Sequence, residues 1–230
     1  MSLLHVDGIS VAYGQSQIIA NLSLSAAAGE IVALMGLNGM GKTTLMKALM
    51  GILPVRAGSV SLAGQDISHK QPYERVASGL AYVPQGRMVF PTLTVEENIC
   101  TGLRSDKEQV PEELYAIFPV LKEMAKRRAG NLSGGQQQQL VIARALASKP
   151  KVLLLDEPTE GIQPSIIKEL AETLKKIRSL KGLTILVSEQ VLSFALSIAD
   201  RMLVINRGSI IHEGKREGTD EGVLKRLLAI

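Results

Sequence analysis

Apolar residues in this chain form short solid runs, separated by stretches where they recur every three or four positions. The solid runs lie at 31–35, 80–83, 152–155, 184–187 and 202–205, each four or five residues long, which is strand length. Helical spacing covers 42–50, 134–148 and 164–180. Alternating strands and helices predict a mainly parallel sheet covered on both faces. The run at 152–155 is apolar throughout and predicts a central strand buried on both sides.

The middle of the chain follows another rule. From about 88 to 146 the spacing is helical and no strand pattern stands out. Thr94-Val95-Glu96-Glu97 fits a capping box with Thr94 as N-cap. Pro111, followed by Glu112 and Glu113, marks another helix start. This segment reads as a helical insert between two parts of one sheet. The first thirty residues and 58–64 read as antiparallel strands with turns, and Asn206-Arg207-Gly208 reads as a turn between two strands. Apolar Val223, Leu224, Leu227 and Leu228 predict a small amphipathic helix near the C-terminus, packed on its own domain.

Composition narrows the class. A chain of 230 residues with 46% hydrophobic content is long enough to bury a substantial core. The 26 basic and 22 acidic residues leave a net charge of +4 with no basic stripe, so no nucleic-acid partner is expected. The single cysteine, Cys100, excludes an internal disulfide and lies in an apolar helical pattern, which predicts a buried, inert thiol. No apolar run approaches the ~20 residues that span a bilayer, and the N-terminus lacks the pattern of a signal peptide. A cytoplasmic protein, soluble or peripheral to the membrane, is expected.

The chemistry begins after the run at 31–35. Gly36-Leu37-Asn38-Gly39-Met40-Gly41-Lys42-Thr43-Thr44 reads G-x-x-x-x-G-K-T, a phosphate-binding loop. The glycines let several backbone N–H groups aim at one point, and the following helix adds its positive N-terminal end. Lys42 would reach the β- and γ-phosphates of ATP or GTP, and the Thr43 hydroxyl would ligate Mg²⁺. A carboxylate is then needed on the metal side, with a group to orient water. Val152-Leu153-Leu154-Leu155-Asp156-Glu157 supplies both at a buried strand end: Asp156 for Mg²⁺ and Glu157 to polarise the water.

A third element, Leu132-Ser133-Gly134-Gly135-Gln136 at a helix start, resembles the signature of the ATP-binding-cassette ATPases. That resemblance extends over nearly the whole chain. It implies an α/β fold of the P-loop NTPase class, with a RecA-like core, an N-terminal antiparallel β subdomain and a helical insert at about 88–146, all within one ATP-binding domain over 1–230. It also implies ATP and Mg²⁺ as ligands and a head-to-tail dimer, a homodimer or a heterodimer with a related ATPase. There, Ser133, Gly135 and Gln136 of one subunit close over the nucleotide of the other. Tyr13 matches the aromatic that stacks on adenine, and Gln85 the glutamine that contacts Mg²⁺ and water. Residues 86–93 would line the groove for a transmembrane permease subunit's coupling helix.

Two positions depart from the general family pattern. Gln190, in Ser188-Glu189-Gln190, stands where the family usually has a histidine; Gln163, in Glu160-Gly161-Ile162-Gln163-Pro164, stands where an aspartate is usual. Glutamine hydrogen-bonds phosphate but never becomes cationic. The expectation is slower hydrolysis, more dependent on Glu157 and without a titrating switch. These features resemble the ATPases of branched-chain amino-acid and urea importers, with 160–165, 136–139 and 86–91 most like the urea branch. An energy-coupling subunit on the inner face of the cytoplasmic membrane is implied.

Overall fold

The computed structural model describes residues 2–105, 107–218 and 220–228. In chain order the elements are β1 (Ser2–Tyr13), β2 (Ser16–Ala27), β3 (Ile31–Met35), α1 (Lys42–Met50), β4 (Ala57–Leu62), β5 (Gln65–Asp66), α2 (Pro72–Ser78) and β6 (Leu80–Val83). There follow α3 (Val95–Cys100), α4 (Glu112–Ile117), α5 (Pro119–Glu123), a 3-10 turn at Ala129–Asn131, α6 (Gly134–Ala147), β7 (Val152–Asp156) and α7 (Pro164–Lys181). The last are β8 (Thr184–Glu189), α8 (Leu192–Ile198), β9 (Arg201–Asn206), β10 (Ser209–Lys215) and α9 (Glu221–Leu228). The five predicted core strands are all present; α2 and α8, too short to show a clear period, were not legible in the pattern.

A six-stranded sheet runs in the order β10-β9-β3-β8-β7-β6. Its five core strands are parallel, and β10 returns antiparallel on β9 through the turn at Asn206-Arg207-Gly208. Because side chains alternate across a strand, one sequence serves two cores. Ile31, Ala33, Met35, Leu153, Leu155, Ile185 and Val187 face the helical side. Val32, Leu34, Val152, Leu154 and Leu186 face α1 and a second, antiparallel sheet of order β2-β1-β4-β5. Burial on both faces is why these runs read as solid rather than alternating.

In β1 the inward set is Leu4 and Val6, then Ile9 and Val11. The break in period coincides with a register shift between Val6 and Ile9. Gly8 sits there at φ +55, so the bulge returns the apolar side chains to the core. The opposing Gly58, at φ +79, lies so close to Asp7 and Gly8 that a Cβ would come within 2.3 Å of the Asp7 carbonyl.

The helical insert takes the predicted form. Thr94 caps α3, accepting from Glu97 N at 3.2 Å while Glu97 Oε2 accepts from Thr94 N at 2.7 Å. Pro111 is the N-cap of α4, with Glu112 and Glu113 in its first turn. One expectation fails: Cys100 is exposed. It ends α3 on the outer side, and Val95, Asn98 and Ile99 fill the inner face. Burial and the charges of Glu96 and Glu97 still hold its thiol above the usual range. In α9, Leu224 and Leu228 are buried in the helical-side core, as the amphipathic spacing predicts.

Among the described residues no helix is long and apolar enough to cross a membrane.

Candidate functional site

The loop between β3 and α1 is shaped by its glycines. Gly39 (φ +79) and Gly41 (φ +105) lie in the left-handed region, where a side chain is strained. Gly36 packs so tightly that a Cβ would stand 2.7 Å from the Ile205 carbonyl oxygen. The turn at Asn206-Arg207-Gly208 supports the loop from below: Gly208 N donates to Met40 O at 3.0 Å, and Arg207 N meets Met40 Sδ at 3.4 Å.

Helix α1 starts at Gly41 with no side-chain cap and no acidic residue in its first turn. No acidic side chain of its own first turn competes for the first N–H groups, and its dipole favours an anion there. By contrast, Ser133 caps α6 through a reciprocal pair: Ser133 Oγ accepts from Gln136 N at 3.3 Å, and Gln136 Oε1 accepts from Ser133 N at 3.0 Å.

Three predicted residues converge on Glu157. Lys42 Nζ lies 3.0 Å from Glu157 Oε1, with the two side chains only 3% and 8% exposed. The same ammonium donates to the carbonyls of Gly36 at 2.6 Å and Leu37 at 3.0 Å. Gln190 Nε2 donates to Glu157 Oε2 at 2.9 Å and to Asn38 Oδ1 at 2.8 Å, and Gln85 Nε2 donates to Glu157 Oε2 at 3.3 Å. Glu157 has φ 47, an uncommon conformation for a residue with a side chain. Its backbone N–H is held by the Ser188 carbonyl at 3.0 Å and by Ser188 Oγ at 3.2 Å.

Asp156 is almost fully buried. Its Oδ1 accepts from Ser188 Oγ at 2.5 Å and its Oδ2 from the Tyr82 hydroxyl at 3.2 Å. Burial, with the Asp156 charge, pushes the Tyr82 phenol far above its usual range, so Tyr82 stays a donor. Glu189 is equally buried; burial raises its carboxyl above the ordinary range against the pull of hydrogen bonds from Thr159, Val191 and Gln190.

A cavity of about 330 Å³ is lined by Ile18, Asn38, Gly39, Gly41, Lys42, Thr43, Thr44, Gln85 and Glu157. Tyr13, at the end of β1, is 46% exposed and outside this lining. Ser133, Gly135 and Gln136 are outside it too. Gly135 is pressed on α7, where a Cβ would lie 2.6 Å from Ile166 Cγ2.

Sequence reasoning missed Ile18, Tyr82, Ser188 and Glu189. Ser188 and Glu189 carried a signal: two polar residues ending a strand that is otherwise buried and apolar. Arg87 was missed as well. Its guanidinium lies against both Gly134 and Gly161, where added Cβ atoms would come within 2.3 and 2.9 Å of it. The two glycines therefore make room for a cation between the start of α6 and the loop before α7.

The donor set fits a magnesium nucleotide. Lys42, uncapped helix N–H groups and left-handed glycines present only donors to an anion. Among the described residues no three His, Cys, Asp or Glu side chains form a metal cage. Thr43 lines the same cavity, which suits Mg²⁺, usually held by substrate phosphates and one or two protein groups.

Comparison with known proteins agrees with this geometry. Residues 19–160 match the family model described as ABC transporter. The chain is 40% identical over 213 residues to the high-affinity branched-chain amino acid transport ATP-binding protein BraG of Pseudomonas aeruginosa, covering 91% of each chain. It is 37% identical to the probable branched-chain amino acid transport ATP-binding protein LivF of Archaeoglobus fulgidus, covering 92% of each. A crystal structure of a nucleotide-free ATP-binding cassette from an ABC transporter superposes with a TM-score of 0.86 at 29% identity, covering 100% of this chain and 96% of the other.

Proposed function

This chain belongs to the ABC transporter family, and from that premise we propose that it is the energy-coupling ATPase subunit of a solute importer. As an ATPase of this family it binds and hydrolyses ATP with Mg²⁺. The observation that carries the residue assignments is the convergence of Lys42, Gln85 and Gln190 on the Glu157 carboxylate.

In this reading, Lys42 exchanges the Gly36 and Leu37 carbonyls and the Glu157 carboxylate for β- and γ-phosphate oxygens. Glu157, released from that ion pair, accepts a hydrogen bond from the attacking water and draws off its proton. Gln190, bonded to Asn38 of the phosphate loop, keeps Glu157 aimed at the place where the terminal phosphate arrives. Thr43, Gln85 and Asp156 would hold Mg²⁺, which supplies charge neutralisation on the phosphate oxygens. The backbone of Gly36, Leu37, Asn38, Gly39, Met40 and Gly41, with Thr44, cradles the phosphates; Tyr13 stacks on adenine.

Ser133, Gly135 and Gln136 lie outside the cavity of their own chain. We assign them to the nucleotide of a second ATPase subunit, a copy of this chain or a relative, in a head-to-tail dimer. Residues 1–230 then act as one ATP-binding domain with 88–146 as its helical part. A cavity of about 480 Å³, lined by Met50, Ile52, Val76, Phe90, Leu103 and Arg144 among others, would take the coupling helix of a transmembrane permease subunit. The protein would then sit on the inner face of the cytoplasmic membrane.

The solute is a branched-chain amino acid or urea. The names of the two relatives above favour the first, and the segments 86–91 and 160–165 the second. Uptake of labelled leucine and labelled urea by cells lacking only this subunit decides between them. Rescue by the wild type but not by Lys42→Ala is expected for one solute; no change in the uptake of either would discard this choice of solute and leave the ATPase chemistry standing. Glu157→Gln should lose about 10²–10⁴-fold in turnover while still binding ATP, and near-normal turnover would remove Glu157 from its role.

A further inference from the structure

Three consecutive residues at the end of β8 each grip a different part of the segment that carries Glu157. Ser188 holds the Asp156 carboxylate and the Glu157 N–H, and Gln190 holds the Glu157 carboxylate. Between them Glu189, only 1% exposed, reaches further along the same segment. Its Oε1 accepts from Thr159 N at 3.1 Å and Thr159 Oγ1 at 2.6 Å. Its Oε2 accepts from Gln190 N at 2.9 Å and Val191 N at 3.1 Å.

Burying a carboxylate is costly even when donors surround it, and an apolar side chain often serves stability as well. What an apolar residue could not do here is fix two backbone segments at once. Glu157 has φ 47, a conformation that persists only where neighbours over-determine it. Thr159, two residues on, is tied by its N–H and its hydroxyl to one oxygen of Glu189. The other oxygen fixes the backbone N–H of Gln190, whose side chain meets Glu157. One carboxylate thus sets both ends of the Glu157–Gln190 contact.

We propose that Glu189 is a positioning residue for hydrolysis: it clamps Thr159 and the 190–191 turn so that the Glu157 carboxylate stays against Gln190. This rests on the reading of Glu157 as the group that orients water. In Glu189→Gln an amide N–H₂ replaces one acceptor and faces backbone donors, so one side of the clamp opens without loss of volume. Thr159→Val removes the hydroxyl donor at constant shape, and Thr159→Ser keeps it.

The test is steady-state ATP hydrolysis by the purified full chain, with thermal melting of each variant. Misplacing a reacting group by about 1 Å costs up to about 100-fold. Glu189→Gln and Thr159→Val are therefore each expected to lower kcat by about 10- to 100-fold with KM for ATP unchanged. The double variant should be no worse than Glu189→Gln alone, and Thr159→Ser should keep the wild-type rate. Wild-type turnover in Glu189→Gln or Thr159→Val, a loss expressed in KM, or fully additive losses would overturn the proposal. So would loss of the folded state in both variants, which would make the contact one of stability only. Glu157→Gln assayed in parallel separates the two readings: if it retains full turnover, the role of Glu157 falls first; if it alone is impaired, only the clamp falls.

Discussion

Gln190 touches both Glu157 and Asn38, so this side chain bridges the Glu157 carboxylate and the loop between β3 and α1. An amide does this with one N–H₂ group at every pH. Replacing Gln190 by His should therefore introduce an inflection between about pH 6 and 8 in the hydrolysis rate, since an ordinary imidazole titrates near 6.5. The rate should be highest below the inflection, where the imidazolium faces phosphate charge, and fall as the ring loses its proton. A pH profile that overlays the wild type would remove Gln190 from contact with the reacting phosphate. Lys42, Asp156 and Glu157 were proposed from motif spacing and Gln85 from the family resemblance, and the structure brings Lys42 and Gln85 onto the Glu157 carboxylate. Ser188 and Glu189 were not legible, because their partners at 156–159 lie some thirty positions away and only the β7–β8 register brings them together.

The helices owe their ends to capping that can be read locally, but their placement depends on distant groups. Helix α1 is the clearest case. Its positive end faces the cavity, and its other end is held by Arg75 of α2, only 2% exposed. Arg75 Nη1 donates to the Ala48 and Leu49 carbonyls at 2.9 and 2.6 Å, Nη2 to Ser68 O at 2.7 Å and Nε to Lys70 O at 3.0 Å. A cation at a helix C-terminus complements its dipole, while burial pulls this guanidinium below its usual range. Arg75→Met should cost about 2–4 kcal/mol, because it removes four hydrogen bonds from one buried cation to backbone carbonyls; an unchanged denaturant midpoint would disprove that. Helix α6 makes the opposite prediction. Ser133→Ala loses a cap worth about 1 kcal/mol, so the melting temperature should move little. If the proposed dimer is right, turnover should fall by about tenfold or more, and parallel small losses in both would reduce Ser133 to a cap.

Across the molecule, the uncapped start of α1 borders the cavity that holds Lys42, while the capped start of α6 lies outside it. In the proposed dimer a second copy would use the start of α6. With Mg-ATP, Glu157→Gln should sediment as a dimer and return to monomer with ADP; a monomer under both conditions would refute the head-to-tail arrangement for this chain paired with itself. The alternation of apolar runs with helical spacing already specified a covered parallel sheet, because strands buried on both faces carry few polar residues before they end. The phosphate loop and the carboxylate pair were likewise proposed from contiguous segments whose chemistry needs fixed residue types at fixed spacing, and the helix start at 133–136 from the family resemblance. Cys100 was misjudged because an apolar period places a helix face only approximately, and its last residue turned outward. The bulge at Gly8, the Arg75 hub, the Gly208 support under Met40 and the Glu189 clamp are all contacts between residues far apart in the chain. No local pattern encodes such contacts: their energy comes from burying polar groups with partners that exist only once the sheets and helices have closed around them.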